Sequence, residues 1–163
     1  MDLEYKRFEK KPDLYQYLLE QVERTWAETD DLTAALANTS AAMMLLMPQL
    51  NWAGFYLMKN GGLVLGPFQG KPAVAHIEVG AGVCGTAVAQ GKSQMVEDVH
   101  KCCNHIACDL ATNSELVVPI FVGEEIFGVI DLDSPLAARF DEEDRHGIET
   151  LAAALGKLLA DQA

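Results

Sequence analysis

Cys108 lies in the polar run His105-Ile106-Ala107-Cys108-Asp109, and three acidic residues follow where they could serve it. These are Glu115 and the pair Asp131 and Asp133 in Gly128-Val129-Ile130-Asp131-Leu132-Asp133-Ser134. A cysteine thiolate is a nucleophile and a redox centre. Carboxylates closing an apolar strand can face a cation, or donate a proton once their pKa is raised. Three more cysteines, Cys84, Cys102 and Cys103, strengthen a redox reading, because a thiol oxidised in a reaction needs a second thiol to resolve it. Each residue alone also has an ordinary explanation. A buried free cysteine behaves as a small hydrophobe, and aspartate is common in solvated turns at strand ends.

Strand alternation places Asp131 and Asp133 on one face with Val129 and Phe127, roughly 7 Å apart along the chain. Ile126, Gly128, Ile130 and Leu132 take the opposite face, where helices would cover them. Glu115 precedes the neighbouring strand, and the tight turn at Gly123-Glu124-Glu125 brings that end beside Asp131 and Asp133. Three carboxylates at one sheet end repel one another, so at least one pKa rises. Trp52 and Tyr56 share a face of an earlier strand and could form an aromatic wall, or simply fill the core.

The elements that must hold these residues follow from periodicity and punctuation. Leu14, Tyr17, Leu18, Val22 and Trp26 recur at helical spacing. A second helix starts before Leu32 with Asp30 or Asp31 as its cap and runs to Met47, where Pro48 stops it. Trp52 to Met58 reads as a strand, Lys59-Asn60-Gly61-Gly62 as a turn, and Leu63-Val64-Leu65 as the returning strand. Short strands are expected around His76–Val79 and Ser93–Glu97. Between them the Gly-rich stretch from Gly80 feeds a short helix closed by Gly91. Leu116 to Val122 and Ile126 to Asp133 form a hairpin, with Pro119 at an edge or bulge. The last helix begins near Asp141, and Ile148, Leu151, Ala152, Leu155, Leu158 and Leu159 are its apolar face. Helices at both ends of a run of hairpin-connected strands give an α+β layered fold.

Composition narrows the chemistry. At 163 residues, half of them hydrophobic, residues 1–163 are expected to be one domain with a core that needs no staples. Twelve basic against 24 acidic residues give a formal charge of −12, a field that repels nucleic acid and anionic membranes. No signal peptide or spanning segment is expected, so the chain is placed in the cytoplasm, where cysteines persist as thiols. Zinc is weighed at Cys102, Cys103, His105 and Cys108 and set aside, because adjacent cysteines suit a tetrahedral site poorly. No metal or other cofactor is expected.

Taken together, Gly82-Val83-Cys84-Gly85-Thr86-Ala87, Glu97-Asp98-Val99, His105-Ile106-Ala107-Cys108-Asp109, Asn113-Ser114-Glu115 and Asp131-Leu132-Asp133-Ser134 resemble the free methionine-(R)-sulfoxide reductases, enzymes built on a single GAF domain. The resemblance includes Asn51-Trp52-Ala53-Gly54-Phe55-Tyr56 and Arg139-Phe140-Asp141 and covers nearly the whole chain. It implies a GAF-type domain, with a central antiparallel sheet of about six strands and the terminal helices packed on one face. It further implies that Cys108 is the nucleophile and that Glu115, Asp131 and Asp133 hold the substrate ammonium and polarise the sulfoxide oxygen. Trp52 would pack against the methyl group on sulfur, Tyr56 would line the pocket, and backbone N–H groups before Cys108, at Ile106 and Ala107, would receive the carboxylate.

The implied reaction reduces free methionine-(R)-sulfoxide through a Cys108 sulfenic acid and an intramolecular disulfide, with thioredoxin as reductant. The family resemblance leaves room for a homodimer. The chain departs from the family at Val74, where many members carry a resolving cysteine. Cys84 is favoured for that role, near a helix start where a thiolate is stabilised, with Cys102, Cys103 or an external thiol as alternatives. A rival class is a non-catalytic GAF sensor of a small molecule, or a thiol redox sensor. An acidic pocket disfavours a phosphate-bearing ligand, and a sensor has no need of three carboxylates.

Overall fold

A computed structural model describes residues 3–101 and 109–163. Helix α1 (Lys11–Ala27) carries Pro12 in its first turn, where a residue with no N–H leaves nothing unpaired. Helix α2 (Leu32–Leu46) is capped by the Asp31 side chain, which accepts from the Ala34 N–H at 2.8 Å, and it ends just before Pro48. Strand β1 (Trp52–Lys59) turns through Asn60 and Gly61, both at positive φ, into β2 (Gly62–Gly70). Then come β3 (His76–Glu78), helix α3 (Gly82–Gln90), β4 (Gln94–Val96), β5 (Ser114–Val122), β6 (Glu125–Ser134) and helix α4 (Glu142–Asp161). Gly91 closes α3 in the left-handed conformation, and Asp141 with Asp144 forms a capping box on α4.

The strands form one antiparallel sheet in the order β3-β2-β1-β6-β5-β4, so the two strands that carry Trp52 and Asp133 are central neighbours. Two apolar layers cover it. On one face Leu18, Val22, Trp26, Leu36, Met43, Ile148 and Leu155 from α1, α2 and α4 pack on Phe55, Leu116, Val118, Ile130 and Leu132. On the other face α3 lies over Trp52, Tyr56, Val117 and Val129 through Val83, Cys84 and Ala87. The layers make an α+β fold, with the terminal helices on one face as expected. No helix among the described residues is long and apolar enough to cross a membrane.

Two irregularities alter the expected faces. In β6 the register slips between Ile120 and Phe121, leaving Phe127 as an extra residue, so Phe127 packs toward the helices instead of sharing the Asp131 face. Alternation resumes at Gly128, and Val129, Asp131 and Asp133 keep the predicted face. In β2, which runs five residues beyond Leu65, Gly66 and Pro67 are taken up by a shift in register opposite Phe55. Pro119 sits beyond the reach of β4, which pairs only with Glu115–Val117, so no partner strand needs its missing N–H on that side.

Candidate active site

The site is built at the end of the sheet where β1 and β5 begin and β6 finishes. Asp133 has Trp52 as its partner on one side and Glu115 on the other. One step along β6, Asp131 lies between Gly54 and Val117. The period of two brings Glu115, Asp131 and Asp133 to the face that also carries Trp52, Tyr56 and Val129. All three carboxyl residues are buried there.

Helix α3 adds the thiol. Cys84 stands in its first turn and donates to Asp131 Oδ2 at 3.4 Å. A helix start favours a thiolate in isolation, and that was the expectation for Cys84. The structure gives the opposite: burial pushes this thiol well up, and the neighbouring Asp131 and Glu115 add to it. Cys84 is therefore a protonated hydrogen-bond donor in the resting protein.

The carboxyls are shifted the same way. Burial is the largest cause for each and raises Glu115, Asp131 and Asp133 well above the usual carboxylate range. Mutual repulsion comes second, from Asp133 on Glu115, Glu115 on Asp131 and Asp131 on Asp133. The upward shift anticipated from three adjacent charges is present, with desolvation ahead of repulsion. Asp131 Oδ1, Asp133 Oδ1 and Asn51 Oδ1 are buried with no hydrogen-bond partner among the described residues. Such acceptors are costly unless something donates to them.

The wall opposite is aromatic. Trp52 stacks on Tyr56 at 6.0 Å and on Phe68 at 5.1 Å between ring centroids. Its Nε1–H donates to the Lys71 carbonyl at 3.1 Å, while the Tyr56 hydroxyl donates to the Val74 carbonyl at 2.9 Å. These two bonds strap residues 71–74 against the wall. Gly70 makes the approach possible: its φ is +133°, and a Cβ there would sit 2.6 Å from the Trp52 ring.

A polar clamp completes the rim, and sequence reasoning assigned it no role. Asn51 Nδ2 donates to Asp109 Oδ2 at 3.1 Å and to Thr112 Oγ1 at 3.0 Å, and Lys71 Nζ lies 3.4 Å from Asp109 Oδ1. Asn51 and Asp109 flank Trp52 and Cys108 in the sequence, and that adjacency was the available signal. Ligand atoms of Cys84, Glu115 and Asp131 fall within 4.8 Å of one another, a spacing that could hold a metal ion. The same donor set suits a polyvalent hydrogen-bond donor equally well. Cys108, Ile106, Ala107, Cys102, Cys103 and His105 lie outside the described residues, so the structure neither joins them to this cluster nor separates them from it.

Comparison with known proteins follows the same lines. Residues 29–160 match the GAF domain family. The chain is 49% identical to the free methionine-R-sulfoxide reductase of Escherichia coli, over 92% of this chain and 91% of that protein. It is 44% identical to the Saccharomyces cerevisiae protein of the same name, over 75% and 72% of the two chains. The free methionine-R-sulfoxide reductase of Neisseria meningitidis, solved in complex with its substrate, superposes with a TM-score of 0.90 at 39% identity, covering 99% of this chain and 95% of that one. With these matches spanning the sheet, the helices and the acidic sheet end, the chain belongs to the GAF domain family and, within it, to the free methionine-R-sulfoxide reductases.

Proposed function

We propose that this protein reduces free L-methionine-(R)-sulfoxide to L-methionine, and that the acidic sheet end is where the amino acid is held. The observation that carries the reading is the set of buried acceptor oxygens on Asp131 and Asp133, without a partner among the described residues, beside the Trp52 wall. An ammonium has three donors and no acceptor, so it satisfies such oxygens and draws their carboxyls toward the charged form. Trp52 and Tyr56 offer the apolar surface that a thioether and its methyl group need. Relatives of this name, one of them solved with substrate, support the same assignment.

The proposed chemistry balances as follows. The Cys108 thiolate attacks the sulfoxide sulfur, and a carboxylic acid of the cluster protonates the oxygen as it leaves. The oxygen then shifts to Cys108 as the newly formed S–S bond breaks, leaving a sulfenic acid there, and the sulfur, reduced by two electrons, departs as methionine. Cys84 then condenses with that sulfenic acid, giving a disulfide and water. Asp131, which accepts from the Cys84 thiol, takes its proton and passes it to the departing hydroxide, which leaves as that water. Thioredoxin supplies two thiols to reopen the disulfide. The activity belongs to residues 1–163 as a single cytoplasmic domain, with or without dimerisation, and the free amino acid needs neither nucleic acid nor membrane.

The experiment is an assay of purified protein with dithiothreitol and each free methionine sulfoxide epimer, read by amino-acid chromatography. Methionine from the R epimer alone is expected. Tight binding of either epimer without product would favour a sensor in place of an enzyme.

A further inference from the structure

The Cys84 sulfur is a weak acceptor for an N–H but a strong ligand for a soft metal ion. It lies 3.4 Å from Asp131 Oδ2, and one ligand atom each from Cys84, Glu115 and Asp131 fall within 4.8 Å of one another. A tetrahedron with Zn–S of about 2.3 Å and Zn–O of about 2.0–2.2 Å has edges of about 3.3–3.7 Å. The sulfur–oxygen edge already has that length, and the others need to close by no more than about 1 Å.

Two further observations point to a ligand. Asp131 is 6% exposed and Asp133 7%, yet each keeps a buried Oδ1 with no partner among the described residues. The donors also stand on elements that are fixed to one another. Glu115 and Asp131 are on paired strands, and the start of α3 is pressed against the end of β3, where a Cβ on Gly85 would meet the Glu78 carbonyl at 2.4 Å. A site built on packed strands and a helix holds its ligands more closely than one built on loops.

We propose that Cys84, Glu115 and Asp131 bind one soft divalent cation, Zn²⁺ or an ion like it, and that this ion excludes the substrate ammonium from the same oxygens. The exclusion rests on the proposed function, while the metal site stands without it. On binding, the thiol and one carboxylic acid release their protons to solvent, and metal–sulfur and metal–oxygen bonds take their place. One doubly charged ion for two protons leaves the charge of the buried site unchanged, so burial does not oppose the exchange as it opposes bare ionisation. The thiolate selects zinc, cobalt or cadmium over magnesium or calcium. Held this way the ion is an inhibitor, since it occupies the thiol and the carboxyls together.

The test is titration of the reduced full chain with Co²⁺, a spectroscopic stand-in for Zn²⁺, in a variant whose other cysteines are removed by Cys102→Ser, Cys103→Ser and Cys108→Ser. One equivalent should give thiolate-to-cobalt charge-transfer absorption, which Zn²⁺ should abolish and excess Mg²⁺ should leave unchanged. Adding Cys84→Ser should remove the band. Adding Asp131→Asn should weaken Co²⁺ binding by about 100-fold or more, beyond the roughly 10- to 100-fold that losing a residue that merely orients a ligand costs. No band in the three-serine variant overturns the proposal, as does a band that survives Cys84→Ser or yields to Mg²⁺. Free methionine-(R)-sulfoxide should displace the ion competitively. A band that forms but resists the amino acid overturns the exclusion, and the ammonium site with it, while the metal site stands, so the two failures are distinguishable.

Discussion

Glu115 and Asp133 are directly opposed partners across β5 and β6, two buried carboxyls where a sheet ordinarily sets an apolar or oppositely charged pair. Like charges facing each other destabilise a sheet, and burial adds a desolvation penalty to each. With Asp131 one step along the same face, burial and repulsion favour the protonated form of these carboxyls in the substrate-free protein. That relationship ties the register of a hairpin to the proposed ammonium site, and it sets the outcome of the first two experiments.

Asp133→Asn or Glu115→Gln keeps the volume and removes the charge. In either variant the ammonium loses a desolvated partner, which costs about 2–5 kcal/mol, or tens to thousands of fold in kcat/KM. The same substitutions relieve a repulsion, so the melting temperature of the substrate-free variants at neutral pH should rise. Steady-state kinetics and thermal melts on the same preparations check both. Wild-type kinetics in both variants would make these carboxyls mere strand ends.

The pH dependence of stability has a defined sign. Glu115, Asp131 and Asp133 are raised in the folded protein, which therefore binds more protons than the unfolded chain above the ordinary carboxylate range, about 4. Their stabilisation is complete below that range and is lost as pH rises through their folded values. Cys84 adds loss in the same direction above the ordinary thiol range. Asp141, lowered to about 2 chiefly by its hydrogen bond from Lys11, acts oppositely and loses its contribution as pH falls from about 4 toward 2. The substrate-free protein should thus be most stable in mildly acidic buffer and soften toward neutrality. Chemical denaturation at several pH values tests this, and Asp131→Asn should flatten the alkaline side of the curve.

What the sequence disclosed divides along physical lines. The Asp31 and Asp141 caps, the stop at Pro48 and the Gly91 terminus are local signals, and each element starts or ends where they indicate. The pairing of Glu115 with Asp133 was approachable because a short turn links their strands. Phe127 was misplaced because a bulge leaves no mark in an alternating pattern. Cys84 was misjudged for a different reason: a helix start is visible in sequence, while the carboxyl it meets 47 positions away is not. The clamp of Asn51, Lys71 and Asp109 stayed hidden because its members come from three separate segments that meet only in the folded chain.

The cysteines should separate by single turnover. Cys108→Ser should form no methionine. Cys84→Ser should release one methionine per enzyme and then stall with thioredoxin, because the sulfenic acid has lost its partner. Quenched-flow product counts with and without thioredoxin decide it. Normal cycling by Cys84→Ser would transfer the resolving role to Cys102 or Cys103.

Gly70 offers a test of the aromatic wall that touches no acidic group. Gly70→Ala places a methyl 2.6 Å from the Trp52 ring at a backbone conformation that alanine resists, so the ring must move. The contact proposed for the sulfur-bound methyl group is then lost, while no acidic side chain is altered. KM should rise about 5- to 30-fold, the worth of about 1–2 kcal/mol of apolar contact, with a smaller change in kcat. An unchanged KM in a folded variant would remove Trp52 from the binding surface.

Substrate size follows from the same charges. The Asp131 and Asp133 oxygens that have no partner among the described residues lie buried, so a ligand group that satisfies them must enter the pocket and bring its own donors. A free ammonium does so with three N–H bonds and a compensating charge, whereas an N-acetyl amide brings one N–H and none. Leaving two or more carboxyls facing a neutral amide keeps them protonated and forfeits the charge-assisted bonds that hold the sulfoxide in place. A methionine sulfoxide inside a polypeptide has the same defect and adds chain on both sides, which must pass the strap at residues 71–74 and the clamp at Asp109. Free methionine-(R)-sulfoxide, its N-acetyl derivative and an oxidised protein, assayed at matched sulfoxide concentration, should therefore differ by about 100-fold or more in kcat/KM in favour of the free amino acid. Comparable rates for all three would mean that the sulfoxide alone is read, and that the buried acidic end of the sheet serves some purpose other than binding the ammonium.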